Sequence, residues 1–242
     1  MIKNPFKYKI NVWEPQEKTQ PQKHSIKNKV IPRHLEDIFY EVLVQYPELN
    51  ETYIIIVETK FYGIQHTLRS YPPLLSLRKN HANRVYPIVI NTNKHTPNSF
   101  YDFSLDEQKG ILAHELAHIL DYTNRTSSQI IGLTFNWFSK KFVQKLEHST
   151  DQTAISRGYS KHLSASRKRI FEKIKKQKSY FESVYLTANE IEGKEKHPTK
   201  RKRTYKAAHL VITLFSFIPA MSYMIYLVSI KKMHKKPNWY AK

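Results

Sequence analysis

The sequence predicts an α+β domain with one small sheet, followed by a single membrane-spanning helix. Three observations carry that prediction. Two short β-branched runs, at residues 53–57 and 84–90, stand among longer stretches whose apolar residues recur at helical spacing. Two capping-box patterns, Ser104-Leu-Asp-Glu107 and Thr187-Ala-Asn-Glu190, mark helix starts. Residues 207–230 include no formally charged side chain, and within them LVITLFSFIPAMSYMIYLVSI is 21 residues long, the length a bilayer core requires.

The elements follow in order. Residues 1–30 are Lys-rich, polar and broken by Pro15 and Pro21, which suggests a basic arm. From Pro32 the series Leu35, Ile38, Phe39, Val42, Leu43, Tyr46 is helical, and Pro47 stops it. The run at 53–57 and the mixed apolar stretch after Phe61-Tyr62-Gly63 read as a strand pair, and a loop with Pro72 and Pro73 comes next. The strand at 84–90 holds Pro87, which predicts an edge position. Ser104 opens a helix that contains His114-Glu-Leu-Ala-His118. A second long helical stretch runs from Ser127 through Ile130, Leu133, Phe138 and Phe142 to Ile155, with Gly158 as its stop. A third passes through Leu163, Ile170, Phe171 and Ile174.

At 242 residues the chain can bury one substantial core, and 40% hydrophobic content is ordinary for a folded domain. The expected division is a basic arm at 1–30, a folded domain at 31–193, a polybasic linker at 194–206, a transmembrane helix at 207–230 and a basic tail at 231–242. Cysteine is absent, so any metal must be held by His, Asp or Glu. The net charge of +20 points to an anionic partner. Without a helix-turn-helix, zinc-finger or aromatic-platform signature, anionic lipid headgroups are expected and nucleic acid is not.

His114 and His118, at i and i+4, share one helix face and can offer two imidazole nitrogens to one ion. Glu115, rotated by about 100° along the helix, can stand beside the open coordination position as a general base. Downstream, Glu147-His-Ser-Thr-Asp151 sets two carboxylates at i and i+4 on the second helix. HExxH with a later ExxxD resembles the gluzincin peptidases, a branch of the zincin metallopeptidases, over residues 104–158. A metzincin would need Gly and His where this chain has Asp121 and Asn124.

The resemblance implies a zincin-like domain, a small sheet with an edge strand packed on active-site helices, that holds Zn²⁺ through His114, His118 and Glu147. It makes Glu115 the general base in peptide-bond hydrolysis and Asp151 the carboxylate behind a ligand imidazole. His148 is the rival third ligand, since imidazole also suits zinc. Asp121, on the face of the histidines, either supports a ligand or counters nearby cations. Arg157, Tyr159, His162 and Tyr185 are candidates for the donor to the oxyanion. The presumed edge strand at 84–90 would bind a peptide or protein substrate by strand addition. The transmembrane run is distantly similar in placement to membrane-integral gluzincin endopeptidases, which have several spans. The amino terminus has no signal-peptide pattern, and with the lysines around the run this leans toward a cytoplasmic catalytic domain. The alternatives are a zincin-fold membrane scaffold that cleaves nothing, and a basic membrane-surface or nucleic-acid adaptor in which HExxH is coincidental.

Overall fold

The computed structural model describes residues 27–60, 68–93, 95, 98–174 and 178–193. Most of the basic arm, the polybasic linker, the transmembrane run and the tail lie outside them. Among the described residues no helix is long and apolar enough to cross a membrane. The chain is mixed α+β, with one four-stranded sheet and helices packed against it.

Strands β1 (Lys29–Val30), β2 (Tyr53–Thr59), β3 (Leu68–Ser70) and β4 (Val85–Asn91) are ordered β1-β2-β4-β3. β1 thus draws two residues of the expected arm into the sheet. β2 and β4 run parallel over their whole length, from Tyr53 opposite Val85 to Thr59 opposite Asn91. β4 is buried from Tyr86 to Asn91, as a strand covered on both faces must be.

β4 is therefore an interior strand, and the edge position expected for 84–90 is wrong. The proline is tolerated because of where its nitrogen faces. The Pro87 carbonyl accepts from the Tyr71 amide at 3.0 Å, so the side of Pro87 that lacks an N–H is turned to short β3, where pairing ends, and not to β2. Among the described residues β3 is the edge strand on this side, as β1 is on the other, and it runs antiparallel to β4.

Helix α1 (Glu36–Leu43) follows a 3-10 turn at Arg33–Leu35, so the expected first helix is shorter by a turn. Its Phe39, Val42 and Leu43 are fully buried. Helix α2 (Leu105–Thr123) begins at the expected capping box: the Ser104 amide donates to Glu107, and the Glu107 amide donates to Ser104 Oγ. Leu112, Ala113, Leu116 and Ile119 bury one face of α2 in the main core with Ile54, Ile88 and Ile90 of the sheet. The Tyr46 hydroxyl donates to the Ala113 carbonyl at 2.8 Å and ties the end of the α1 region to the turn that carries His114.

The expected single helix from Ser127 to Ile155 is two. Helix α3 (Ser127–Asn136) and helix α4 (Lys140–Ala154) are separated by a turn in which Trp137 goes into the core, and Ser139 caps α4. The stop expected at Gly158 is borne out: Gly158 sits at φ +91, left-handed and non-helical, so the helical run kinks there and helix α5 (Ser160–Lys173) starts after it. α2 and α5 meet at their backbones, since a Cβ on Gly110 would overlap the His162 carbonyl. Short helices α6 (Lys178–Glu182) and α7 (Ala188–Ile191), the latter opened by the Thr187 capping box, close the described chain.

Candidate metal centre

The i, i+4 spacing on α2 puts His114 and His118 side by side, with ring centroids 4.7 Å apart and planes nearly perpendicular. α4 crosses this face and brings Glu147 to both. Its Oε2 lies 3.1 Å from His114 Nε2 and 3.2 Å from His118 Nε2. The three side chains are buried and could hold a metal ion, their ligand atoms all within 4.8 Å of one another.

The far side of each imidazole decides what its near side can do. His114 Nδ1–H donates to Asp151 Oδ1 at 2.8 Å. The Thr150 hydroxyl donates to the Leu146 carbonyl at 2.9 Å, so toward His118 Nδ1, 3.2 Å away, its oxygen can only accept. Both rings then carry a proton on Nδ1 and turn the Nε2 lone pair to the Glu147 carboxylate. Two lone pairs and an anion facing one point repel unless a cation, a proton or a metal ion, lies between them.

The electrostatics say the same. Burial alone would lower the pKa of His114, but the hydrogen bonds and charges of Asp151 and Glu147 raise it to about 10. Burial would raise the Glu147 carboxyl, yet the two imidazoles hold it well below the usual carboxylate range. Asp151, which burial would also raise, is held low by the Arg167 guanidinium and by His114. Arg167 donates to Asp151 Oδ1 at 2.7 Å and lies over the Tyr185 ring, and the Leu186 amide donates to Oδ2 at 3.2 Å.

Glu115 lines the same cleft, with His114, His118, Glu147, Arg69 and Tyr185. The Ser70 amide and hydroxyl donate to its Oε2 at 2.6 and 2.7 Å, which leaves Oε1 as the oxygen that can take a proton. The carboxyl of Glu115 is thus fixed to the end of the edge strand β3.

The remaining sequence candidates fall elsewhere. Asp121 turns from the histidines to Arg125, which it binds through both oxygens. His148 is not part of the cluster. Arg157 pairs with Glu48, Tyr159 reaches toward the Glu41 and Val42 carbonyls, and His162 faces Asp106. Of the four donors only Tyr185 lines the cleft, with its ring 6.2 Å from that of His114. Burial, reinforced by the Glu147 charge, pushes its phenol well above the ordinary range, so it stays a neutral donor.

Sequence reading missed Ser70, Thr150, Arg167 and the cleft cation Arg69. Thr150 had a local signal, since it stands three residues after Glu147 and one before Asp151. The other three come from segments far along the chain and carry none. Comparison of the chain with protein-family models, with curated proteins and with solved structures found no match.

Proposed function

We propose that the chain is a zinc-dependent peptidase with a zincin-like arrangement, tied to a membrane by the apolar run at 207–230, with its catalytic domain on the cytoplasmic side. The observation that carries the enzymatic reading is the meeting of His114 Nε2, His118 Nε2 and Glu147 Oε2 at one point beside a separately anchored Glu115. Two imidazoles and a carboxylate, with a fourth direction open to a cleft, are the donor set of a catalytic zinc.

A zinc held there would supply a Lewis acid for the scissile carbonyl and lower the pKa of a water to about 7. Glu115 Oε1 would receive the proton of that water and pass it to the leaving amine. Asp151 keeps His114 in the ligating tautomer, and Thr150 does so for His118. Tyr185 is the neutral donor suited to the developing oxyanion.

The substrate would lie along β3, not along the strand at 84–90. The Tyr71 bond to Pro87 turns odd-numbered residues toward β4, so the backbone groups of Leu68 and the Ser70 carbonyl are left on the edge that borders the cleft, the Ser70 amide being held by Glu115. An extended peptide added there would run beside Glu115. Glu115→Gln tests the chemistry: it should keep the metal, because the ligands are untouched, and lose about a hundredfold or more in turnover on a peptide library. Equal turnover by both forms would remove Glu115 as base, and a wild-type protein that binds zinc but cleaves nothing would leave the scaffold reading in its place.

A further inference from the structure

The outward side of the α3–α4 elbow carries Ile131, Phe135 and Phe138 at 46, 71 and 49% exposure. They stand at i, i+4 and i+7, one helical stripe, and the last turn of α3 extends over Trp137 and Phe138. The inward side of the same segment, Ile130, Leu133 and Trp137, is in the core, so the elbow has two apolar faces and the described residues cover only one. No Asp or Glu occurs from Tyr122 to Leu146.

Cations frame the stripe at both ends. Lys141 and Lys145, both exposed and one turn apart on α4, follow Phe138. At the other end the Ser127 hydroxyl donates to the Leu77 carbonyl at 2.9 Å, which sets exposed Arg78 and Lys79 beside the first turn of α3. Behind the stripe, the Arg69 guanidinium lies 5.1 Å from the centre of the Trp137 ring, and Arg69 lines the metal cleft. The stripe is thus the outer side of one cleft wall.

We infer that the α3–α4 elbow is a second membrane contact, in which Phe135 and Phe138 enter the interfacial layer of a bilayer while Lys141, Lys145, Arg78 and Lys79 meet anionic headgroups. Charge selects this occupant. A second copy docked stripe to stripe would set cation against cation. So would the chain's own run at 210–230, which is uncharged and flanked by Lys206, Lys231 and Lys232. A bilayer containing phosphatidylserine matches both the apolar stripe and its cationic frame, and on the proposed reading of the run at 207–230 as a membrane anchor a bilayer lies within reach of the domain. The contact needs no metal and no catalysis. That it would hold the cleft near the headgroups, and so favour membrane-proximal segments as substrates, rests on the peptidase reading.

The lack of cysteine allows a direct test on the full chain. Single cysteines replace Phe135, Phe138 or, as a control, exposed Gln152, and each is labelled with an environment-sensitive nitrobenzoxadiazole. The chains are then mixed with phosphatidylcholine vesicles with and without phosphatidylserine. Labels at 135 and 138 should shift to the blue, brighten severalfold and be quenched by lipids brominated high on the acyl chain, while the label at 152 stays aqueous. Lys141→Glu with Lys145→Glu should reduce this response on phosphatidylserine vesicles, by roughly fivefold or more at each site, since each change removes a cation and adds an anion. Aqueous spectra at 135 and 138 in chains that sediment with vesicles overturn the proposal. So does a blue shift of the same size without lipid, which would assign the stripe to a second copy or to another segment of the same chain. Neither readout depends on hydrolysis, so failure here and failure of the peptidase reading are separate results.

Discussion

The two histidines of the cluster stand one turn apart on the same helix, and yet the regions behind them differ. Behind His114 lies a charged network drawn from three places: Asp151 of α4, Arg167 of α5 and the Leu186 amide ahead of α7. Behind His118 lie one neutral hydroxyl, Thr150, and the stacked ring of Tyr122 from its own helix. A carboxylate behind an imidazole makes it more basic and fixes its tautomer by charge, whereas a hydroxyl fixes the tautomer alone. Equal spacing on a helix thus does not make two histidines equal, and the far side of each ring sets how firmly it would hold a cation.

The largest effect should come from the group common to both sides. Glu147→Ala removes the carboxylate on which both Nε2 atoms converge, and stoichiometric zinc should be lost, whereas His148→Ala should retain it. Metal analysis of the two purified proteins checks this. Loss of zinc from the His148 variant alone would exchange their roles and undo the comparison at its centre.

Next in size is the break on the charged side. Asp151→Asn should weaken zinc about 10–100-fold. It should also destabilise the metal-free protein by about 3–5 kcal/mol, because the buried Arg167 then faces no carboxylate. The pH dependence carries the sign of the same interaction. A His114 pKa of about 10 means that the metal must displace a proton at neutral pH. Apparent zinc affinity of the wild type should therefore rise by about tenfold per pH unit and level off only near that pKa. In Asp151→Asn the proton is held less firmly, and the plateau should begin at lower pH. Chelator competition across pH reads both curves, and superposable profiles would remove Asp151 from the account.

What the sequence made legible follows the reach of local rules. The shared face of His114 and His118, the Ser104 and Thr187 caps, and the pairing of Glu147 with Asp151 on one helix all follow from spacings of three or four residues. The misses are tertiary. Trp137 divides α3 from α4 because its ring is drawn into the core, a demand that no local pattern announces. Pro87 read as an edge signal, but its missing N–H matters only on one side of the strand, and which side is fixed by Tyr71. Ser70 and Arg167 reach Glu115 and Asp151 across 45 and 16 residues of chain, so no local spacing tied them to the site. Asp121 shows the converse error. It shares the helix face of His114 and His118, yet it stands near the solvent end of α2, where Arg125 one turn further offers a two-bond partner.

The smallest effect belongs to the neutral side. Thr150→Val keeps the shape of the side chain while it removes the oxygen that accepts from His118 Nδ1 and donates to Leu146. No charge is left unpaired, but the buried His118 Nδ1–H loses its acceptor, so the stability loss should be about 1–3 kcal/mol, at most the low end of that for Asp151→Asn. His118 can still ligate through Nε2, because the Tyr122 ring, 6.0 Å away and nearly parallel, keeps the plane of the imidazole. What is lost is the preference for the Nδ1-protonated tautomer. A preference of about 1 kcal/mol corresponds to about fivefold in zinc affinity. Its pH profile should keep the wild-type plateau, since the charges that raise the pKa of His114 are untouched. A Thr150→Val loss as large as that of Asp151→Asn, or a plateau displaced in the same direction, would mean that the two histidines are held as one unit and that the asymmetry has no bearing on the metal.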